Sequence, residues 1–227
     1  MTVYILTLFP EIFQSVFSKS IIARAIDKKL LSIKLINIRD WGLGRRKTVD
    51  DKPYGGGKGM IMMPQPIMAA LGSIKPKPYT ILLCASGKMF KQQTAGFLAK
   101  KKSLALICGH YEGIDARVEK YVDEIITIGD FILTGGEIPA MAIVDSIARL
   151  IPGSINPKSP VDESFKEGLL EYPQYTQPRV FNGLKVPQVL LLGNHARIAA
   201  WCTKQAIKRT KKFRPDLIRK RELKITN

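Results

Sequence analysis

This chain is short of several things that would place a protein quickly. It has no apolar run long enough to cross a bilayer. Its longest charge-free stretch, Gly59–Ile74, has 16 residues and is interrupted by Pro64 and Pro66, whereas a spanning helix needs about 20. Met1–Pro10 has neither a basic n-region nor a cleavage site, so it does not read as a signal peptide. Cysteine is scarce, odd in number and scattered (Cys84, Cys108, Cys202), and there are only two histidines, His110 and His195. None of these stands at metal-ligand spacing, which argues against a zinc module and a disulfide scaffold. A reduced, cytoplasmic compartment is the expected setting. Acid is short too: 19 Asp+Glu face 36 Lys+Arg, a formal net charge of +17. That surplus favours a polyanionic partner, nucleic acid or an anionic membrane surface, and the short apolar runs weaken the membrane reading.

What is present is ordinary globular material. Hydrophobic residues make up 45% and charged residues 24% of 227 residues, which excludes disorder as the main state. The length suits one large domain, or a medium domain with a small appendage. The positive charge is unevenly placed. Arg197–Asn227 holds 11 basic residues against Asp216 and Glu222, so 31 residues carry +9. Ile198, Trp201, Cys202, Ala206 and Ile207 fall at roughly helical spacing and leave the bases toward the other face. This is either a solvated helix face or an electrostatic footprint for a phosphate backbone.

Strand-like and helix-like runs alternate through the first two thirds. Val3–Leu8 reads as a buried strand. Pro10 then suits a helix start, followed by a stripe of Ile12, Phe13, Val16, Phe17, Ile21, Ile22 and Ala25. Leu31–Ile38, Thr80–Cys84, Leu104–Cys108 and Ile125–Ile128 are further strand candidates, and Ile138–Leu150 is a helix. Alternation of this kind predicts an α/β fold: a parallel sheet with helices on both faces and ligands at the carboxyl ends of the strands. After Ile151, Pro152, Gly153, Pro157 and Pro160 punctuate a polar stretch. The expected organisation is a sheet domain over 1–155, a linker over 156–167 and a small basic helical domain over 168–227.

Three glycine-rich points stand out: Tyr54-Gly55-Gly56-Gly57-Lys58-Gly59, Gly109-His110-Tyr111-Glu112-Gly113 and Gly129-Asp130-Phe131-Ile132-Leu133-Thr134-Gly135-Gly136-Glu137. None is a Walker A loop, because Gly59 rather than Ser or Thr follows Lys58, and no GxGxxG follows the first strand. A nucleotide hydrolase and a standard dinucleotide enzyme are thereby disfavoured. A nucleotide-like ligand held by strand-end loops is not, since glycine allows close backbone approach.

At these loops the chain resembles the bacterial tRNA (guanine-N1)-methyltransferases, the TrmD family of the trefoil-knotted SPOUT superfamily. The matching segments are Thr48-Val49-Asp50-Asp51-Lys52-Pro53-Tyr54-Gly55-Gly56-Gly57, Cys108-Gly109-His110-Tyr111-Glu112-Gly113-Ile114-Asp115 and Ile128 through Ala140. Glu163-Ser164-Phe165, Gly168-Leu169-Leu170, Tyr175-Thr176-Gln177-Pro178 and Gly193-Asn194-His195 continue the match over essentially the whole chain. The resemblance implies a SPOUT-type trefoil-knotted sheet domain with a bent S-adenosylmethionine pocket, and a homodimer with active sites at the subunit interface. It implies methylation of N1 of the guanosine at tRNA position 37, which maintains reading frame. The cofactor loops carried over are Leu82–Ser86 (Leu82, Leu83, Cys84, Ala85), Gly109–Gly113 (Gly109, Tyr111, Glu112, Gly113) and Ile128–Pro139 (Ile128, Gly129, Phe131, Leu133, Gly135, Gly136, Pro139). Family metal dependence implies Mg²⁺, for which the sequence offers no dedicated site.

Guanine N1 carries a proton at neutral pH, so a base is needed, and the charge developing on O6 calls for a cation or donor. With so few histidines, a carboxylate is the expected base. The resemblance places an Asp before Ser-Phe; here that position is Glu163, preceded by Asp162, and either acid is a candidate. Arg149 matches the arginine that steadies the guanine oxygen, although an arginine at a helix C-terminus also compensates the helix dipole. Glu112 is expected to position methionine or the incoming guanine. Two departures stand out: Cys84-Ala85 replaces a Ser-Pro, and Gln177 replaces an arginine that offered a phosphate contact. A different RNA methyltransferase of the same superfamily, and a non-catalytic RNA-binding protein, remain as alternatives.

Overall fold

The computed structural model describes residues 1–155, 164–165 and 168–218. Asp162 and Glu163 lie outside the described residues. The chain divides into two compact units, Met1–Asn156 and Pro157–Asn227.

In chain order the first unit carries β1 (Thr2–Thr7), α1 (Gln14–Phe17), α2 (Ser20–Asp27), β2 (Ser32–Asn37), β3 (Asp50–Asp51) and β4 (Ile61–Met62). It continues with α3 (Pro64–Gly72), β5 (Tyr79–Met89), α4 (Gln92–Leu98), β6 (Ser103–Cys108), β7 (Glu124–Thr127) and α5 (Glu137–Ala148). Five strands form one sheet in the order β2-β1-β6-β5-β7, and every pairing is parallel. Strands buried on both faces explain the unbroken apolar runs of β1, β5 and β6. Successive side chains of a strand point to opposite faces, so Val3, Ile5, Ile81, Leu83, Leu104, Leu106 and Cys108 enter one core. Leu6, Leu82, Ala105 and Ile107 enter the other. The first core is closed by Phe17, Ile22, Leu98, Ile143 and Ile147 from the α1, α2, α4 and α5 helices. The second is closed by Ile67, Ala70 and Leu71 of α3 with Ile38 and Val118.

Two local expectations need correction. The helix expected after Pro10 is broken: a 3-10 turn over Pro10–Phe13 and α1 are followed by a new start at α2. Ser20 takes φ +56°, which a continuous right-handed helix does not accommodate. Phe13, Phe17, Ile22 and Ala25 are buried, whereas Ile12 and Val16 of the expected stripe are exposed. The second unit is not purely helical either. It contains an antiparallel ribbon of β8 (Val180–Phe181) and β9 (Leu184–Lys185) before α6 (His195–Phe213). Asn182 and Gly183 join the two strands at φ +47° and +78°, the positive pair that a tight hairpin turn demands.

In the second unit, Asn194 caps α6 by accepting the Arg197 amide at 3.0 Å. Thr210 is buried; its hydroxyl donates to the Ala206 carbonyl at 2.7 Å and accepts the Leu170 amide at 2.8 Å. That ties the Leu170 segment to the helix, and Tyr172 and Tyr175 lie against Trp201. Lys204, Lys208, Arg209, Lys211 and Lys212 are all exposed on α6. Among the described residues no helix is long and apolar enough to cross a membrane.

Candidate active site

The loops that follow β5, β6 and β7 meet at the carboxyl edge of the sheet and line one cleft. From β5 come Leu83, Cys84 and Ala85, where the register against β7 shifts between Leu83 and Lys88. From β6 come Gly109, Tyr111, Glu112 and Gly113, and from β7 Ile128, Gly129, Phe131, Leu133, Gly135, Gly136 and Pro139. Leu82 points the other way along the pleat, is buried in the second core and does not line the cleft. His110, Ile126, Thr127, Ile132 and Thr134 complete the wall.

The β6 and β7 loops are drawn together at their glycines. The Gly136 amide donates to the Gly109 carbonyl at 2.8 Å. A Cβ on Gly136 would stand 2.7 Å from Cys108 Cα, closer than carbon atoms approach without overlap. The β3–β4 ribbon straps the β6 loop from outside. The Glu112 amide donates to Met60 O at 3.0 Å, and the Met62 amide donates to Gly113 O at 2.9 Å. The Tyr54–Gly59 motif belongs to that ribbon's connection rather than to the cleft, and its Tyr54 is fully exposed.

Beneath the glycines lies a buried polar group that sequence reasoning did not single out. Glu137, the first residue of α5, is 5% exposed. Its Oε1 accepts the Thr7 hydroxyl of β1 at 2.8 Å, and that hydroxyl oxygen accepts the Phe9 amide at 3.0 Å. Its Oε2 stands 3.9 Å from His110 Nδ1, a buried atom with no hydrogen-bond partner among the described residues. Cys108 is fully buried beside it; burial first, and the Glu137 charge second, hold its thiol well above the ordinary range. It is therefore an inert core thiol, whereas Cys84 is exposed with Sγ 3.2 Å from Ser86 Oγ. Glu137 stood inside a quoted motif, but an acid at a helix start normally reads as a dipole partner, and no local signal marks it as buried.

The cleft fits a cofactor such as S-adenosylmethionine. Leu83, Ile126, Ile128 and Pro139 offer apolar wall for an adenine, and Gly109, Gly113, Gly129, Gly135 and Gly136 line the cleft with bare backbone. Among the described residues no group of three or more His, Cys, Asp or Glu side chains is placed to hold a metal ion. Arg149 is the C-cap residue of α5. The 12 residues of that helix span about 18 Å at ~1.5 Å per residue. Arg149 therefore stands a helix length from the Gly135-Gly136 corner of its own chain's cleft and does not line it.

Comparison with known proteins agrees with this geometry. The family model for tRNA (Guanine-1)-methyltransferase TrmD matches residues 1–220. A tRNA (guanine-N(1)-)-methyltransferase of Dictyoglomus turgidum is 52% identical over 221 residues, covering 96% of this chain and 90% of that protein. The protein of the same name from Caldanaerobacter subterraneus subsp. tengcongensis is 51% identical over 222 residues, with 96% and 92% covered. That from Geobacillus kaustophilus is 52% identical over 224 residues, with 96% and 91% covered. With a parallel α/β sheet whose strand-end loops build a glycine-walled cleft, a family match over residues 1–220 and relatives about half identical over 96% of its length, the chain belongs to the TrmD family of tRNA (guanine-1)-methyltransferases.

Proposed function

We propose that the protein transfers a methyl group from S-adenosylmethionine to N1 of a guanosine in tRNA, at position 37 immediately 3′ of the anticodon, and so maintains the reading frame. One observation carries the reading: the three strand-end loops that bear the family motifs converge on one cleft in a chain that the family matches over residues 1–220. The sheet domain over 1–155 holds the cofactor, and the basic C-terminal region over 168–227 holds the tRNA backbone in the cytoplasm.

When bound, the sulfonium would supply an electrophilic methyl group with a neutral thioether as its leaving group. The chain's own task is to align guanine N1 with that methyl and to manage one proton and one developing charge. The N1 proton passes to the carboxylate of Glu163, or of Asp162 beside it, as the N1–CH₃ bond forms. The negative charge that spreads onto O6 is met by the Arg149 guanidinium. Tyr111 and Glu112, on the loop strapped by the β3–β4 ribbon, line the cleft and would meet the ligands bound there.

Arg149 decides the assembly in this reading. It stands a helix length from its own cleft, so the residue that serves a given cleft comes from a second copy of the chain. A homodimer with shared active sites satisfies this; a monomer leaves each half of the machinery without the other.

The test is a nucleoside map. The protein is incubated with S-adenosylmethionine and a tRNA transcript bearing guanosine at position 37, and the digest is read by mass spectrometry. N1-methylguanosine at that position is expected, with no incorporation when the guanosine is replaced by adenosine. Methylation on a ribose or on another base would refute the assignment; no methylation by folded protein would refute the enzyme reading.

A further inference from the structure

We propose that Glu137 is a positioning residue for the cofactor cleft, acting through His110. The proposal rests on the reading of the cleft as an S-adenosylmethionine site. A carboxylate that is 5% exposed is costly to keep unless it is satisfied. Glu137 has a hydrogen bond from the Thr7 hydroxyl on Oε1, the positive end of α5, and the His110 ring facing Oε2. No other ion-pairing partner of Glu137 stands among the described residues. On its side, His110 Nδ1 is buried with no hydrogen-bond partner among the described residues. Its ring is held by Phe9 at 4.8 Å and Tyr111 at 5.2 Å between ring centres. Phe9 is in turn fixed by its amide to the same Thr7 hydroxyl. A Cβ on Gly135 would lie 2.6 Å from His110 Nδ1 and would also strike Glu137 Oε2. The bare glycine is thus what lets the β7 loop close over the pair.

A neutral imidazole carries its proton on one nitrogen only. Facing a carboxylate oxygen, Nδ1 is the nitrogen that keeps it. The 3.9 Å separation closes to hydrogen-bond length with a movement of about 1 Å, which seats the loop from Gly109 to Gly113 against the start of α5. Glu137 thereby joins β1, the β6 loop and the β7 loop at the floor of the cleft without touching the ligand.

The experiment uses two readouts on the full-length protein: S-adenosylmethionine binding by calorimetry, and ¹⁵N spectra of histidine-labelled, ligand-free protein. The sequence has only two histidines, so the spectrum separates His110 from His195. Wild-type His110 is expected as the Nδ1–H tautomer. Glu137→Met removes the acceptor and leaves the Thr7 hydroxyl and the His110 ring without it, so the melting temperature is expected to fall modestly while the protein stays folded. Cofactor affinity is expected to fall about ten- to a hundredfold as buried partners lose their mates, and the His110 signal to move off Nδ1–H. His110→Leu is expected to behave like Glu137→Met, and His110→Asn, whose amide N–H stands near the Nδ1 position, to recover most of the affinity that His110→Leu loses. If Glu137→Met does not fold, it is combined with Thr7→Val, which removes the hydroxyl left without its acceptor, and the double variant is read for the same loss of affinity and the same spectral change. Unchanged affinity and an unmoved tautomer in the folded variant overturn the proposal, as does His110→Asn proving as damaging as His110→Leu. Wild-type protein that binds no S-adenosylmethionine overturns the reading of the cleft and this proposal with it. Normal wild-type binding with an indifferent variant overturns this proposal alone.

Discussion

Gly136→Ala gives the sharpest test of the cleft's construction, because two physical arguments predict opposite signs. Gly136 has φ −80° and ψ −2°, a conformation open to any residue. On backbone entropy alone, alanine there would stabilise the fold by ~0.4–1 kcal/mol. Packing predicts the reverse. The new Cβ would meet Cys108 Cα at 2.7 Å, the Gly109 amide nitrogen at 3.0 Å and Cys108 Cβ at 3.1 Å. Carbon atoms settle at about 3.5–4.0 Å, so the two loops must part by roughly 1 Å. Backbone atoms at the end of a central strand cannot swing aside as a side chain does. Parting stretches the 2.8 Å bond from the Gly136 amide to the Gly109 carbonyl. Overpacking costs about 1–3 kcal/mol and the weakened hydrogen bond about 1 kcal/mol, so a total near 3 kcal/mol is expected. In a unit of this size that is a fall in Tm of roughly 6–12 °C. If the loop yields while the fold holds, the cost appears as a loss of cofactor affinity of about a hundredfold. Differential scanning fluorimetry and calorimetric titration divide the two routes. Gly72→Ala is the control: Gly72 ends α3, is exposed and has nothing within 4 Å of a new Cβ. It is expected to be neutral or to stabilise by up to ~1 kcal/mol. Gly136→Ala with an unchanged or raised Tm and unchanged cofactor affinity would refute the close-approach argument.

Mixed dimers test the shared site: co-assembled Gly136→Ala and Arg149→Ala chains, each weak as homodimers, are expected to recover one working site per heterodimer. No recovery would place Arg149 on its own chain's cleft. Neutralising Lys208, Lys211 and Lys212 on the exposed side of α6 is expected to raise the KM for tRNA several-fold and to flatten its salt dependence by roughly 0.7–0.9 in log–log slope per lost phosphate contact. An unchanged slope would mean a merely solvated helix face. Asp115 accepts the Arg117 side chain at 2.8 and 2.7 Å and its amide at 2.9 Å, and these bonds lower its carboxyl below the ordinary range. A depressed folded-state pKa contributes stability above the unfolded value of about 3.9 and loses it as pH falls through the folded value. Asp115→Asn is therefore expected to lower Tm slightly at pH 7, with the gap closing toward pH 3; a gap that persists in acid would refute the assignment. The effect is small because the Arg117 side chain is 67% exposed.

The architecture was legible where burial is symmetrical. Apolar runs at Val3–Leu8, Thr80–Cys84, Leu104–Cys108 and Ile125–Ile128 correspond to β1, β5, β6 and β7, because a parallel strand covered on both faces must be apolar throughout. β2 was legible for a different reason: it is an edge strand with a mixed exposure pattern, so its sequence alternates. Short elements escaped. β3 and β4 have two residues each, too few for any periodicity to register. The β8–β9 hairpin was a different failure, since Asn182-Gly183 is a strong turn signal that the basic helical pattern nearby overshadowed. Ser20 breaks the first helix through its own left-handed conformation, which serine does not advertise.

The cleft was legible as a set of loops but not as an object. Motif matching points to Gly109, Gly129, Gly135 and Gly136 individually; it says nothing of which atom each glycine yields to. The structure answers that for two of them. Gly136 yields to the backbone of β6, and Gly135 to a buried carboxylate–imidazole pair. Local pattern treats Glu137 as a helix-start acid and His110 as a residue between two loop positions. Their relation spans from 110 to 137 in sequence and reaches Thr7 on β1, a separation no window captures. Arg149 makes the same point in reverse. Motif and helix pattern both place it correctly at the end of α5, yet the helix that connects it to the cofactor loops also holds it about 18 Å away from them. The rigidity that makes α5 a reliable scaffold for Glu137 at one end keeps Arg149, at the other, out of its own chain's cleft, and the mixed-dimer experiment reads which chain's cleft it serves.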